Sequence, residues 1–271
     1  MKLAYQTATP EVRPGPGVTA YQGDIERAFA LLTETGYDGA ELMVSNPREV
    51  DREQIKKLAE KYHLDIPMIC TGEIFGQDGL FFSSPSAEIR EEAVRRACEA
   101  VDLAEFFGAQ VNVGRLRGGL VFGENEEDCR RRSAEGLKIL AEYAQKKQVT
   151  AALEPVNTLA LNYINRTEEG IRMVQEIGNP YMCLMLDTAH MYIEDKDIPG
   201  SIRRAAPYTS YIHLSDSNRL YPGNSKFDFE GFIKSVKETG YDGWLSVEVF
   251  QRPDGETAVQ KSYEYIKPLL L

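Results

Sequence analysis

The chain has 271 residues, 42% hydrophobic and 27% charged, an ordinary balance for a globular domain with a substantial core. Its formal net charge of −11 excludes a broad nucleic-acid-binding face, because affinity for the phosphate backbone rests on Lys and Arg. No stretch approaches the roughly 20 apolar residues of a membrane span, and the opening Met1-Lys-Leu-Ala-Tyr-Gln6 has too short an apolar run for an export leader. Cys70, Cys98, Cys129 and Cys183 form no C-x-x-C pair, so reduced thiols and a cytoplasmic location are expected.

Lys2–Ala8 reads as the first strand and is followed by a loop rich in Pro and Gly. A helix is expected from about Asp24, with Ile25, Phe29, Leu31 and Leu32 as its apolar face. Gly39–Val44 is the second strand, and Asp51 with Gln54 has the spacing of a helix cap. Ile66–Thr71 is the third strand, followed by a long loop, Gly72–Ser84, and a helix opened by Ser84-Pro85. Ala109–Gly114 is the fourth strand; after the loop Arg115–Asn125, a helix is expected over Glu126–Lys147. Thr150–Pro155 is the fifth strand, with Thr167 capping a helix that runs to Ile177.

The sixth strand, Met182–Thr188, leads into an irregular connection and a short helix near Ser201–Ala206. Thr209–Ser215 is the seventh strand, with its helix at Phe229–Glu238. Gly243–Val249 is the eighth, and Glu256–Leu269 closes the chain as a helix. Glu34-Thr-Gly-Tyr-Asp-Gly39 recurs as Glu238-Thr-Gly-Tyr-Asp-Gly243, each time between a helix and a strand, as a shared loop solution. Eight regular strand–helix units predict an α/β fold, a single-domain (β/α)8 TIM barrel over residues 1–271, with a doubly wound sheet as the alternative.

Four of these strands finish at residues that bind metals: Glu154, Asp187, His213 and Glu248. In a parallel barrel the strand ends share one face, so the four would converge. Three carboxylates meeting without a cation would raise one another's pKa, and a divalent metal resolves this. Hard oxygen ligands with one imidazole suit Mn²⁺, Mg²⁺ or Co²⁺, with Zn²⁺ ranked behind them. His190, three residues after Asp187, and Arg219, six after His213, would face a ligand above the metal. Gly72-Glu73 and Arg115-Leu-Arg117 fall on the same face, which adds Glu73 and Arg117 as candidate substrate contacts. Glu41, within the second strand, is expected to pair inside the barrel.

A set of segments carries a resemblance that runs nearly end to end: Leu153-Glu-Pro-Val-Asn157, Asn162-Tyr-Ile-Asn165, Leu186-Asp-Thr-Ala-His190, His213-Leu-Ser-Asp-Ser-Asn-Arg219, Pro222-Gly223, Phe227-Asp-Phe229 and Ser246-Val-Glu248. Together they resemble the sugar isomerase/epimerase family of xylose isomerase-like TIM barrels, especially its D-tagatose 3-epimerase and 5-keto-L-gluconate epimerase members. The resemblance implies that Glu154, Asp187, His213 and Glu248 hold the metal and that Glu154 and Glu248 double as the acid/base pair. It also implies substrate oxygens held by His190 and Arg219, and a homodimer or homotetramer. Family epimerases carry a further glutamate six residues after the first; here Asn157-Thr-Leu-Ala160 puts Ala160 there, and Glu73 is a candidate replacement.

Inverting a carbon beside a ketone requires a proton to leave one face and return to the other, so two bases flanking the sugar are useful. A metal chelated by the carbonyl and a neighbouring hydroxyl would stabilise the enediolate. The expected function is a divalent-metal-dependent epimerase of a keto-sugar or keto-sugar acid, the acid being suggested by Arg115, Arg117 and Arg219. An aldose–ketose isomerase or an inosose-type dehydratase would use the same metal site. A phosphodiesterase would need a multi-metal cluster with more than the three histidines present. A binding barrel without turnover is the last alternative.

Overall fold

A computed structural model describes residues 1–271. The first half comprises β1 (Lys2–Ala8), α1 (Ile25–Thr35), β2 (Gly39–Met43), α2 (Arg52–Tyr62), β3 (Met68–Cys70), α3 (Gly72–Asp78), α4 (Ala87–Phe107), β4 (Gln110–Val113) and α5 (Glu126–Lys147). The second half comprises β5 (Ala151–Leu153), α6 (Thr167–Ile177), β6 (Met182–Asp187), α7 (Thr188–Glu194), α8 (Ile198–Ala205), β7 (Thr209–Leu214), α9 (Phe229–Glu238), β8 (Trp244–Val247) and α10 (Gly255–Leu270). The strands are all parallel and close in sequence order, with β8 pairing back onto β1, so the sheet has no edge. No helix is long and apolar enough to cross a membrane.

Side-chain alternation sorts each strand into two faces. Leu153, Leu184, Leu186, Ile212, Leu214, Leu245 and Val247 face the helices and join the main apolar core. Met68, Ala152, Met185 and Tyr211 form a separate apolar cluster, the layer that plugs the barrel interior. Two residues further along β5, β6 and β7 the same inward phase delivers Glu154, Asp187 and His213, and Glu248 follows Ser246 at the end of β8. Beyond Leu184↔Thr209 the register skips Ser210, pairing Met185 with Tyr211. Asp187 therefore sits level with His213, and not with the outward Ile212.

Several local expectations shift. The loop after β3 contains a helix, α3, held to the segment after β4 by Arg115, whose Nη2 donates to the Gly72 carbonyl and Glu73. The cap of α4 is Ser86 and not Ser84: Ser86 Oγ accepts the Ile89 N–H, whereas Ser84 Oγ accepts that of Ser86. Thr167 is the first residue of α6; Glu169 accepts the N–H groups of Asn165 and Arg166, and the Thr167 hydroxyl donates to Asp195. Asp187 ends β6 and at once caps α7, so the connection expected to be irregular contains a helix, and the short helix expected near Ser201–Ala206 is α8.

Arg117 belongs to this framework and not to the substrate contacts. Its side chain is fully buried, donating from Nη2 to the Tyr163 and Ile164 carbonyls at 2.8 and 2.7 Å and from Nη1 to the Gly114 carbonyl. Burial pulls its pKa down to about 10, which still leaves it cationic at neutral pH. One guanidinium thus ties the end of β4 to the loop that follows β5. Arg117→Ala would remove three buried hydrogen bonds, leaving the Gly114 and Ile164 carbonyls only their backbone donors, and should cost on the order of 3 kcal/mol. Thermal denaturation should show this as a Tm lowered by roughly 10 °C; an unchanged Tm would contradict the framework role.

Candidate metal and active site

His213, on β7, is the centre of the site. Its Nε2 lies 2.9 and 3.0 Å from the two oxygens of Glu41, which directs Nδ1 toward three carboxylates. From Nδ1 the distances are 3.0 Å to Glu248, 3.5 Å to Glu154 and 3.9 Å to Asp187. One ligand atom from each of the four residues lies within 4.8 Å of the other three. His213 Nδ1 and Glu154 Oε1 are buried without a hydrogen-bond partner. Two buried, unpartnered donor atoms among carboxylates are what a hard divalent cation would satisfy, so these residues fit one.

The carboxylates are individually held. Asn112 on β4 donates to Glu154 Oε2 at 3.1 Å while its own carbonyl accepts the Thr71 N–H. Glu154 also needs Gly114 beside it, since a Cβ there would lie 2.5 Å from Oε2. Thr19 donates to Glu248 Oε1 at 2.9 Å. Arg219 Nη1 donates to both Asp187 oxygens at 2.7 Å, and Nη2 pairs with Glu248. Arg219 adopts a left-handed backbone, φ 61°, at the end of a turn organised by Asp216. The Asp216 carboxylate accepts N–H groups from Ser217, Gly223, Ser225 and Phe227.

Charge follows from these contacts. Burial alone would raise the pKa of Glu248, but Arg219 and then His213 outweigh it and hold the group well below the usual carboxylate range. Asp187 is lowered in the same way, chiefly by Arg219 against burial. Burial would lower His213, yet Glu41 and then Glu248 overcome it and raise the ring well above an ordinary imidazole. A proton and a metal therefore compete for Nδ1, and metal binding releases protons.

Above the cluster lies a cavity of about 460 Å³, walled in part by Glu154, Asn157, Ala160, His190, Arg219 and Glu248. Asp187 and His213 lie beneath that wall. Asn157 Nδ2 donates to His190 Nδ1 at 2.8 Å, and its carbonyl accepts the Leu159 N–H, which fixes the amide orientation. His190 is neutral, its pKa lowered first by burial, so its proton sits on Nε2, 4.0 Å from Glu154 Oε1. It offers one N–H to a ligand in the cavity.

Of the residues anticipated from sequence, the four metal-type ligands meet, and His190 and Arg219 reach the cavity wall. Glu73 does not: it is buried behind Arg115, to which it is paired at 2.8 Å. Arg117 is in the framework, and Arg219 is committed to two carboxylates. None of the three arginines remains as a free guanidinium to favour an acidic substrate. Glu41 pairs inside the barrel as expected, but its partner, His213, was not anticipated. Asn112, Thr19, Asn157 and Asp216 were also missed as supports; Asn112 alone had a readable signal, a polar residue in the inward phase of a strand.

The profile of the xylose isomerase-like TIM barrel family matches residues 29–269. An L-ribulose 3-epimerase of Mesorhizobium japonicum is 30% identical over 235 residues, covering 84% of this chain and 76% of its own length. A probable ketose 3-epimerase of Synechocystis is 26% identical over 245 residues, 88% and 83% of the two chains. The crystal structure of a D-allulose 3-epimerase from Methylomonas sp. has the same fold, with a TM-score of 0.85 at 23% identity, covering 100% and 98%.

Mn²⁺ at about 100 times its Kd should stabilise the folded chain by ~2.7 kcal/mol, seen as a raised Tm. Asp187→Ala should abolish that shift. Because the folded-state pKa of His213 is raised, the proton leaves Nδ1 only as pH rises through it, so Mn²⁺ binding should tighten with pH. Calorimetric titration at several pH values checks the sign; affinity falling with pH would contradict it.

Proposed function

Because the chain belongs to the xylose isomerase-like TIM barrel family, we propose that it is a sugar epimerase, an isomerase that inverts the carbon beside the ketone of a free ketose with a divalent cation as cofactor. The observation that carries this reading is the pair Glu154 and Glu248, which approach the same His213 nitrogen from β5 and β8. The epimerase names of the two relatives support the reaction class.

A divalent cation held by Glu154, Asp187, His213 and Glu248 supplies electrostatic stabilisation for the negative charge that develops on the substrate oxygens. Glu154 and Glu248 move the proton. One removes it from the carbon beside the ketone, the carbon becomes planar, and the other returns a proton to the opposite face. Epimerisation is reversible, so the two exchange roles with the direction of reaction. Asn112 and Thr19 each hold one oxygen of these carboxylates; the other oxygen of Glu154 has no hydrogen-bond partner, while that of Glu248 is paired with Arg219. The His190 Nε2–H donates to a sugar oxygen, its tautomer set by Asn157. Arg219 keeps Glu248 ionised and therefore able to accept a proton. Since the arginines near the cavity already have partners, the substrate is a neutral keto-sugar in preference to a keto-sugar acid.

The test is NMR in D2O on metal-stripped protein, with and without Mn²⁺, against ketopentoses and ketohexoses. The expected result is Mn²⁺-dependent deuterium at the carbon beside the ketone together with the new epimer. Glu154→Gln and Glu248→Gln should each reduce turnover by roughly 10²–10⁴-fold. Near-normal turnover in both variants would exclude the proposed pair, an aldose product would indicate an isomerase, and loss of water a dehydratase.

A further inference from the structure

Glu41 stands on β2, across the barrel from β7, and its side chain and that of His213 are 0% and 1% exposed. Both of its oxygens approach Nε2, and Gln6 Nε2 holds Oε1 from the other side at 2.9 Å. A carboxylate only accepts, so the proton of a metal-binding His213 sits on Nε2 and the Nδ1 lone pair faces Glu154, Asp187 and Glu248. The other tautomer would set a lone pair against Glu41 and a proton against the cation. A ring turned about χ2 would lose both contacts, leaving Glu41 buried with a neutral amide as its only partner.

We infer that Glu41 is a positioning residue that fixes the tautomer and orientation of His213 and thereby sets the affinity of the site for its divalent cation. The inference rests on reading those four residues as the metal ligands. Its action is through the imidazole alone, since the cavity wall does not include Glu41. Thr19, in the loop after β1, gives its single hydroxyl proton to Glu248 at 2.9 Å. Residues of β1 and its following loop thus brace two ligands that lie on different strands.

Mn²⁺ titration of metal-stripped protein by calorimetry tests this without reference to turnover. Glu41→Leu should weaken binding about 10–100-fold. Glu41→Gln keeps an acceptor for the Nε2–H but loses the charge, so its loss should be smaller, below about 10-fold. ¹⁵N NMR of the three histidines in the Mg²⁺-loaded wild type gives a readout that does not depend on any variant folding: one ring should carry its proton on Nε2 with a metal-shifted Nδ1. Wild-type affinity in Glu41→Leu, or a His213 proton on Nδ1 in the loaded protein, overturns the inference alone. No Mn²⁺ binding by the wild type overturns the metal-site reading and this inference with it.

Discussion

Three carboxylates converge on one imidazole nitrogen inside a closed barrel, and the surrounding chain is shaped by the cost of keeping them there. Like charges about 4 Å apart repel by roughly 4 kcal/mol at an effective dielectric of ~20. Arg219 offsets part of this by bridging Asp187 and Glu248, and it does so from a left-handed backbone that costs a non-glycine residue on the order of 1–3 kcal/mol. Asp216, gathering four backbone N–H groups, is what keeps that turn in place. The site's electrostatics therefore reach back into the loop after β7.

The barrel makes this tolerable by dividing its interior into layers. Met68, Ala152, Met185 and Tyr211 close the lower part with apolar surface and exclude water beneath the cluster. The layer above is polar almost throughout, with Gln6, Glu41, Asn112, Asp187, His213 and Ser246 contributed by six different strands. Rigid strands at fixed spacing supply groups whose positions are set by sheet pairing more than by their own side-chain freedom. That placement is what a metal site needs if its ligands are not to be reorganised on each turnover.

Much of this could be read from the chain. Strand–helix alternation gave the barrel. Glu154, Asp187, His213 and Glu248 stood out because an ionisable side chain at the end of an apolar strand is costly to bury unless an opposite charge or a metal meets it. Direction within a short turn could not be read. Arg115 and Arg117 are two residues apart on one 3₁₀ turn; one lines the cavity and the other is wholly buried behind it. Glu73 failed for the same reason, being drawn to Arg115. The helix α3 was hidden because Gly72-Glu-Ile-Phe-Gly-Gln-Asp78 has two glycines and weak helical preference, and tertiary hydrogen bonds make up the difference. His213's partner on β2 is a long-range contact that no local pattern encodes.

The extra residue at Ser210 bears on how such a barrel can be taken apart and recombined. If Ser210 were paired in turn, in uninterrupted register from Leu184↔Thr209, Ile212 would come level with Asp187 and His213 would face the helices. The seam between β6 and β7 is therefore a poor crossover point for chimeric barrels, whereas β4–β5 and β7–β8 pair without interruption. Fragments exchanged at those regular seams keep every ligand in phase, and a modular redesign of the molecule would have to carry β6 and β7 together as one inseparable piece.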